Sequence, residues 1–417
     1  MHIVFVTNEL ATKDFPSGGL GTFVSNMSRI IKRHGHQVSI ILVTTQERLI
    51  QIDSSINCYN VFVEKEDWSK LEEISFLFSN QDKENIDSIR KIFVSVEKCR
   101  LVREKIKEIN SSSKVDIVQY CNHGGFSLFA ERNIPYVVRI SGFLNIIFGN
   151  GDKPMGSIAF RDNPETVTQK FENDILRKSK YVIAPSQLLC DICSNELGLS
   201  CELLESPFEL CEDDWDYSIV NSLEKKYVLY FGTMRYGKGI HVIAGLLREF
   251  LSKYPEYTFV LVGMRTELVY DGKRVDSVSY VMNSAGEFAD RIRIFNSLNR
   301  QSLYPIIKRA ELCVLPSRIE NFSNACVEAM AMGKIVIATD GASYEQLIEN
   351  GKNGFLCERD NEIDFLYTIC KVIALNQGEK KQIERRAQES VKKLKPDIIL
   401  GRYIDYYKKV IRDWHAS

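Results

Sequence analysis

Short apolar runs alternate with amphipathic stretches along most of the chain, and this pattern predicts strands followed by helices. The first apolar run, "HIVFVTNEL" from His2, predicts a buried strand. In "FVSNMSRIIKRHG" the apolar residues recur at helical spacing, and the apolar run "HQVSIILVTT" follows at once. A strand, a helix and a second strand in this order indicate a βαβ unit and therefore a parallel sheet.

The same alternation continues and later restarts. In the first half, the pattern predicts an amphipathic helix at 98–109 and strands at 114–120, 136–140 and 181–186, while the rest of 46–110 is irregular. The acidic, polar segment 209–226 predicts a linker. Beyond it, strands are predicted at 227–233, 257–263, 311–317 and 334–340, with helices between them and a last helix after Pro396.

This organisation predicts two successive α/β domains, each with a doubly wound parallel sheet. A chain of 417 residues is too long for one core of ordinary size. We place the N-terminal domain at residues 1–212 and the C-terminal domain at 213–396, and expect the helix 397–417 to pack back. Two such domains facing each other would enclose a cleft. Ligands of open parallel sheets bind beyond the carboxyl ends of strands, which selects the loops 16–21, 120–125, 232–239 and 317–324.

Composition and charge narrow the possible functions. The formal net charge of -1 gives no large positive field, so nucleic acid is not expected as a partner. The 11 scattered cysteines suit a reducing cytosol, and the chain shows neither a secretory signal nor an apolar run that could span a bilayer. We therefore expect a cytoplasmic protein. Cys190 and Cys193 allow a redox or zinc interpretation, although two thiols on one helix face are the favoured one.

A glycine-rich loop follows the first predicted strand. In "PSGGLGTF", Gly18 and Gly19 let the backbone approach a ligand, and a helix expected from about Thr22 presents free N–H groups to an anion. The dinucleotide fingerprint Gly-x-Gly-x-x-Gly does not fit, because Val24 stands where its third glycine is required. The loop alone is therefore a weak indication of phosphate binding.

Two further loops carry charged residues suited to an anionic or hydroxyl-rich ligand. In "FGTMRYGKGIHVI", Lys238 stands between glycines at a helix entrance with Arg235 nearby, which suits a diphosphate as well as a solvated basic turn. In "PSRIENFSNACVEAMAMGKIVIAT", Glu320 lies in a loop and Glu328 in the next helix. Two carboxylates can accept hydrogen bonds from two polyols, such as a ribose and a hexose. An ordinary acidic surface helix is the alternative, but a charge among apolar residues needs a partner.

The chain resembles the family 4 glycosyltransferases, which have the GT-B fold. "PSRIENFSNACVEAMAMGKIVIATDGASYEQLIENGKNGFLC" carries a Glu–seven residues–Glu core, an Ala-Met-Ala-x-Gly turn and an Asn-Gly-Phe-Leu ending. Shorter similarities extend across nearly the whole chain: "GGLGTFVSNMSRIIKRHGHQVSIILVT", "YVIAPS" and "VLYFGTMRYGKG". The resemblance implies two Rossmann-like domains, the first on the acceptor side and the second binding the donor. It implies retaining transfer from a nucleotide-sugar to a glycan or lipid-linked glycan, as in bacterial surface polysaccharide synthesis.

The resemblance also implies roles for individual residues. Glu328 would hold the ribose hydroxyls, Glu320 would lie beside the donor sugar, and Lys238 would neutralise the leaving diphosphate. Gly18 and Gly19 would approach the phosphates. The backbone N–H groups of three consecutive residues would contact the sugar and phosphate: Phe322, Ser323 and Asn324.

Three positions bear on the phosphate and acceptor contacts. His123, in "YCNHGGF", resembles a histidine that lies near the acceptor and the transferred sugar in the family. Thr233 stands in place of the usual arginine of the phosphate clamp, and Arg235 is the candidate to replace that cation. Ser141 stands where the family often has a histidine, although Arg139 is retained.

The expected chemistry needs neither a metal nor another cofactor. Lys238 and helix N-termini can stabilise the leaving phosphate, and the acidic run "EDDWD" lies in the linker rather than at a strand end. The basic segment "KKQIERRAQESVKKLK" allows peripheral contact with the inner membrane face, although a solvated helix face is favoured. Two alternatives stay open: a nucleotide-sugar epimerase of GT-B fold, and a non-catalytic nucleotide-sugar-binding subunit. The base, the sugar, the acceptor and the oligomeric state are not encoded in these motifs.

Overall fold

The chain forms two compact units. The computed structural model describes residues 1–12, 17–47, 52, 55–78, 83–143, 146, 165–210, 214–270 and 272–416. The first unit comprises the described residues of Met1–Asn145, Pro164–Pro207 and Pro396–Ser417, and the second those of Ile146–Asn163 and Phe208–Lys395. The boundary expected between residues 212 and 213 lies outside the described residues, and the long continuous part of the second unit begins at Phe208.

The first unit is built on a seven-stranded parallel sheet with strand order β3-β2-β1-β4-β5-β6-β7. Its strands are β1 His2–Thr7, β2 Gln37–Val43, β3 Asn57–Val61, β4 Ile117–Cys121, β5 Tyr136–Arg139, β6 Val182–Ala184 and β7 Cys201–Leu203. In the centre, Ile3 of β1 pairs with Val38 on one side and with Ile117 on the other. Every residue of β1 is buried, as expected of a strand that is covered on both faces.

Helices connect these strands. They are α1 Gly19–Arg33, α2 Lys65–Phe78, α3 Lys83–Ser112, α4 Val167–Leu176 and α5 Gln187–Leu197. Helix α1 begins at Gly19, three residues before the expected start near Thr22, so Gly19 belongs to its first turn. Helix α3 begins well before the predicted start at residue 98, and β3 and α2 occupy part of the stretch that showed no regular pattern.

The second unit repeats this plan with a six-stranded parallel sheet. Its strands are β8 Tyr227–Phe231, β9 Thr258–Val262, β12 Ile292–Phe295, β13 Leu312–Leu315, β14 Val336–Thr339 and β15 Phe355–Cys357, in the order β12-β9-β8-β13-β14-β15. An antiparallel pair, β10 Glu267–Tyr270 and β11 Lys273–Asp276, stands apart from the sheet. The helices are α6 Ser218–Ser222, α7 Ile240–Lys253, α8 Ser277–Ala285, α9 Arg300–Arg309, α10 Asn324–Ala331, α11 Glu362–Ala374 and α12 Gln377–Val391.

The last helix, α13 Pro396–Ala416, returns to the first unit. Tyr407 is fully buried, and its hydroxyl donates to Gln119 Oε1 at 2.6 Å. The guanidinium of Arg139 lies 3.8 Å from the ring centre of Phe23 and donates to the hydroxyl of Tyr403 at 3.4 Å. Buried tyrosines and a buried arginine thus fix α13 to the core around β4, β5 and α1.

In both sheets, the side to which successive strands are added reverses once. In the first sheet, β2 and β3 are added on one side of β1, and β4 and the later strands on the other. In the second sheet, β9 and β12 are added on one side of β8, and β13 and the later strands on the other. Such a reversal leaves a crevice at the carboxyl ends of the two central strands, where ligands of doubly wound sheets bind. The four candidate loops follow these four strands.

The segment predicted to be a linker is in part folded onto the second unit. It contains α6, and Ser302 of α9 donates to a carboxylate oxygen of Asp216 at 3.1 Å. The backbone N–H of Asp216 also donates to the carbonyl of Gln301 at 3.0 Å. The linker prediction was therefore wrong for this part of 209–226, because hydrogen bonds to α9 hold a polar sequence in place. Residues 211–213 lie outside the described part of the chain.

The Cys-x-x-Cys pair is packed inside the first unit. Cys190 and Cys193 are buried on α5, and the Sγ atoms of Cys190 and Cys201 are 3.4 Å apart. The hydrogen bond to Cys201 and burial raise the pKa of the Cys190 thiol far above its ordinary value. Among the residues that the structure describes, no group of three or more His, Cys, Asp or Glu side chains is placed to hold a metal ion. None of the described helices has the length and apolar character needed to cross a membrane.

Candidate donor and acceptor sites

The loops after β8 and β13 bring two of the predicted site residues into direct contact. Lys238 Nζ lies 2.6 Å from Glu320 Oε1, and the hydroxyl of Ser317 donates to the same carboxylate oxygen at 2.7 Å. The side chains of Lys238 and Glu320 are 26% and 12% exposed, so the ion pair is open to solvent on the lysine side. An ammonium held by a fixed carboxylate at the end of the sheet is placed to meet an anionic ligand.

Glu328 lies on α10 with little solvent contact. The residue is 8% exposed, and its Oε1 accepts a hydrogen bond from the hydroxyl of Tyr304 at 3.2 Å. Arg300 Nε is 3.5 Å from the same oxygen. Burial raises the pKa of Glu328, while the charge of Arg300 and the hydrogen bond from Tyr304 counteract this rise. The sequence indicated that this carboxylate needs a partner, and the structure supplies two from α9.

Sequence reasoning did not identify Arg300 and Tyr304. They stand four residues apart on α9, so they project from one face of that helix. A search for a cation and a hydroxyl at this spacing, on the helix before the strand that leads to Glu320, could have selected them. Which carboxylate they face is a matter of tertiary packing and is not visible in the spacing.

The three residues expected to offer backbone N–H groups lie at the start of α10. The helix begins at Asn324, so Phe322 and Ser323 precede its first turn. Ser323 is its N-cap, and the hydroxyl of Ser323 accepts a hydrogen bond from the backbone N–H of Cys326 at 3.3 Å. This N-terminus directs the positive end of the helix dipole to the same sheet edge as Lys238.

Thr233 and Arg235 belong to the loop of Lys238. The carbonyl of Thr233 accepts hydrogen bonds from the hydroxyl of Tyr230 at 2.8 Å and from the backbone N–H of Arg235 at 2.9 Å. Burial and the charge of Glu320 raise the pKa of Tyr230, and the charge of Arg235 counteracts them. Arg235 is therefore close to the buried hydroxyl of Tyr230, in the same loop as Lys238.

In the first unit, Gly18 and Gly19 lie at the N-terminus of α1. Gly18 is the N-cap and Gly19 the first helical residue. A carboxylate that sequence reasoning missed lies beside them, since the hydroxyl of Ser17 donates to Glu9 Oε2 at 3.1 Å. The same oxygen would be 3.2 Å from a Cβ atom on Gly18. The phosphate role of the two glycines stays a prediction, and the negative charge of Glu9 opposes it.

His123 follows β4 and faces a second missed carboxylate. Glu172 of α4 is 7% exposed, and its Oε1 accepts a hydrogen bond from the backbone N–H of Gly124 at 2.6 Å. The other oxygen of Glu172 is 3.8 Å from His123 Nδ1. The imidazole is 12% exposed, so it is largely enclosed beside this acidic side chain. The separation of 3.8 Å is too long for a hydrogen bond, so the contact between the two side chains is electrostatic.

Comparison with known proteins finds a family model that matches part of the chain. Residues 213–390 match the family model for glycosyl transferases group 1. The chain is 26% identical over 181 residues to the GDP-mannose:cellobiosyl-diphosphopolyprenol alpha-mannosyltransferase of Xanthomonas oryzae pv. oryzae (strain PXO99A). That match covers 43% of this chain and 46% of the relative. The chain thus spans less than half the length of this curated relative.

Solved structures match nearly the whole chain. Sucrose-phosphate synthase from Thermosynechococcus elongatus superposes with a TM-score of 0.72 at 16% identity, over 99% of both chains. The Anabaena protein HepE, in complex with UDP and glucose, gives a TM-score of 0.65 at 15% identity, over 98% of this chain and 100% of its own. These likenesses confirm the predicted fold class. The chain therefore has the GT-B fold of two doubly wound α/β domains, and its residues 213–390 are similar to glycosyl transferases group 1.

Proposed function

We propose that this chain is a retaining glycosyltransferase of family 4. It transfers a hexose from a nucleoside-diphosphate sugar to a glycan or lipid-linked glycan, in the synthesis of a bacterial surface polysaccharide or glycoconjugate. The observation that carries the proposal is the ion pair of Lys238 and Glu320, 2.6 Å apart at the carboxyl ends of two adjacent central strands. The match of residues 213–390 to glycosyl transferases group 1 supports it.

Each part of the donor has a matching group in the second unit. The ammonium of Lys238 neutralises the diphosphate, with Arg235 as the second cation. Glu320 accepts hydrogen bonds from hydroxyls of the sugar, and Glu328 accepts them from the ribose. The N-terminus of α10 contributes backbone N–H groups and the positive end of its dipole.

The proposed reaction is a displacement with same-face attack. The bond between the anomeric carbon and the phosphate oxygen breaks, and the acceptor oxygen bonds to that carbon on the same face. The acceptor's proton passes to the leaving phosphate oxygen. Negative charge develops on the diphosphate during this step, so a fixed cation at Lys238 lowers the barrier.

The first unit is proposed to bind the acceptor, with His123 near it. The Xanthomonas relative acts, by its name, on a polyprenol-linked disaccharide, which supports a lipid-linked acceptor and a peripheral position at the inner membrane face. The basic segment 380–395 gives little support to membrane contact. Lys380 is paired at 2.6 Å with Glu311 and its side chain is only 10% exposed, so this cation serves the fold.

Donor hydrolysis and transfer assays test the proposal. The purified chain is incubated with UDP-sugars and GDP-sugars, alone and with polyprenol-linked saccharides, and the products are separated. Formation of an elongated saccharide with the donor's anomeric configuration is expected. An epimerase would convert the donor without an acceptor, and a binding subunit would retain the donor unchanged. Either result would contradict the proposed transfer.

We expect transfer to continue in the presence of EDTA. The counter-charges for the diphosphate are Lys238 and Arg235 with the N-terminus of α10, so removal of divalent cations should change the rate by less than about twofold. The measurement compares initial rates before and after chelation and after MgCl2 is restored. A loss of activity that Mg²⁺ reverses would show that these side chains and the helix N-terminus do not balance the charge of the diphosphate without a metal ion.

Nucleoside binding should strengthen as pH rises above the ordinary titration range of a glutamate. Burial holds the pKa of Glu328 above 4.5, so the carboxylate ionises at a higher pH than an exposed one. Only in the ionised form are both oxygens free of a proton, and charged acceptors form stronger hydrogen bonds with the ribose hydroxyls. Uridine and guanosine are the ligands, because a terminal phosphate itself titrates at about pH 6. Affinities from calorimetry that change at or below pH 4.5 would contradict the expectation, and Glu328→Gln should remove the dependence.

A further inference from the structure

We propose that His241, Asp360 and Arg318 form a positioning triad that holds the Lys238 loop against the Glu320 loop. The triad thereby sets where the ammonium of Lys238 meets the diphosphate of the donor. This inference rests on the proposed function, since it concerns the phosphate side of the same site. The three residues act through the two loops and are not themselves donor contacts.

One carboxylate joins three separate parts of the second unit. Asp360 follows β15, and its Oδ1 lies 2.8 Å from Nε2 of His241, in the first turn of α7. Its Oδ2 accepts a hydrogen bond of 2.9 Å from Nε of Arg318, in the loop after β13. The triad therefore ties the helix that begins just after Lys238 to the loop that carries Glu320.

The triad is a tightly held group of charges. The side chain of Arg318 is 4% exposed, and a guanidinium at such depth requires an anionic partner. Burial alone would raise the pKa of Asp360, but the hydrogen bond from His241 and the charge of Arg318 hold it below its ordinary value. Asp360 also has a φ of 57°, which is uncommon for a residue other than glycine. The backbone thus adopts an unusual conformation where its carboxylate meets both partners.

The two loops touch directly at the level of the triad. The backbone N–H of Arg318 donates to the carbonyl of Gly237 at 3.0 Å. Gly239 has a φ of 73°, and a Cβ atom there would be 1.9 Å from the carbonyl oxygen of Pro316. Lys238 stands between these two glycines, so the loop of Glu320 lies against the residue on either side of Lys238.

A second arginine, Arg359, binds the backbone of Arg318 and of the loop after β14. Arg359 Nε donates to the carbonyl of Arg318 at 2.9 Å, and its terminal nitrogen donates to the carbonyl of Gly341 at 2.7 Å. Two consecutive residues therefore hold Arg318: Asp360 contacts its side chain, and Arg359 contacts its backbone carbonyl. Asp360 is the residue that contacts both His241 and Arg318, which makes it the informative position to change.

The first test is Asp360→Asn, which keeps the size of the side chain but removes its charge. We expect the affinity for UDP or GDP to fall about tenfold, since interactions within one network typically couple at this level. The affinity for uridine or guanosine should not change, because their ribose is held at Glu328. Calorimetry measures both, with thermal unfolding as the check on folding. The control is Glu349→Gln, which alters a surface ion pair with a 66% exposed carboxylate and should leave both affinities unchanged.

A double-mutant cycle decides whether the effect passes through Lys238. In a Lys238→Ala background, Asp360→Asn should have little further effect on diphosphate affinity. Equal losses in both backgrounds, or equal losses for nucleosides and diphosphates, would overturn the triad's role. His241→Ala repeats the cycle if Asp360→Asn does not fold, and His241→Gln, whose amide can still donate, should restore part of the affinity.

Failure of the triad and failure of the proposed function give different results. Wild-type binding of UDP or GDP that Asp360→Asn leaves unchanged would overturn the triad alone. Absence of binding by the wild-type chain to either diphosphate would overturn the proposed donor site and the triad's role with it.

Discussion

Replacement of Lys238 by alanine should reduce the rate of sugar transfer by about 100-fold to 1000-fold, the cost typical of removing one preorganised group from a developing charge. Lys238 is the cation paired with Glu320 at the end of the sheet, and charge accumulates on the diphosphate as the glycosidic bond breaks. Initial rates at saturating donor, compared with the wild-type chain, measure the effect. A rate within a few-fold of wild type would remove Lys238 from the mechanism.

The Lys238→Ala variant also leaves a mostly buried carboxylate without its cation. Glu320 keeps its hydrogen bond from Ser317, but its side chain is 12% exposed, so we expect a loss of about 1–3 kcal/mol in the free energy of unfolding. Thermal unfolding separates this loss from the catalytic effect. The matched control is Lys352→Ala, because that lysine is 61% exposed and pairs with Glu349 at the surface.

Replacement of Glu328 by glutamine should lower the affinity for nucleoside diphosphates about 100-fold. Two hydrogen bonds from ribose hydroxyls to a carboxylate contribute roughly 1.5 kcal/mol each, and each 1.4 kcal/mol is about tenfold in affinity. The test compares UDP and GDP with their 2′-deoxy analogues by calorimetry. The wild-type chain should prefer the ribose form, and the variant should show a much smaller preference, because its amide oxygen is a neutral and weaker acceptor. An unchanged preference in the variant would exclude Glu328 as the ribose contact.

The same substitution should not destabilise the fold at neutral pH. Because burial raises the pKa of Glu328, the folded chain holds a proton more tightly than the unfolded one, and stability falls as pH rises above 4.5. Glutamine carries no charge, so the variant should gain in melting temperature relative to wild type over that pH range. Glu389→Gln is the control, because its carboxylate is 60% exposed. If the variant lost affinity and also had a lower melting temperature than the wild-type chain, a structural role for Glu328 would be indicated instead.

The sequence predicted the central strands of each sheet better than the edge strands. Strands β1, β8 and β13 are buried throughout, so each appears in the sequence as an unbroken apolar run. Strands β3 and β12 form edges of the two sheets and are only partly buried, so "NCYNV" and "IRIF" lacked a recognisable run. For the pair β10–β11 the sequence does carry a hairpin signal, because an Asp-Gly dipeptide stands between "ELVY" and "KRVD".

The candidate donor site could be predicted as a set of loops but not as a network. The rule that ligands bind beyond strand ends selected the loops of Lys238 and Glu320, which the structure brings together. The partners of these loops come from elsewhere in the chain. Tyr304 reaches Glu328 from α9, and Asp360 reaches Arg318 from beyond β15. Such pairings depend on how helices pack across the sheet, and no periodicity in a single sequence records them.

Because α13 belongs to the first unit, that unit cannot complete its folding until nearly the whole chain has been synthesised. A ribosome completes the strands of the first sheet long before it adds Tyr403 and Tyr407, which fill part of that unit's core. Until then, the buried surface around Phe23 and Arg139 lacks its cover. The second unit has all of its own residues earlier, so it can finish folding first during translation, and a stop codon before residue 396 would leave the N-terminal unit open and prone to aggregation.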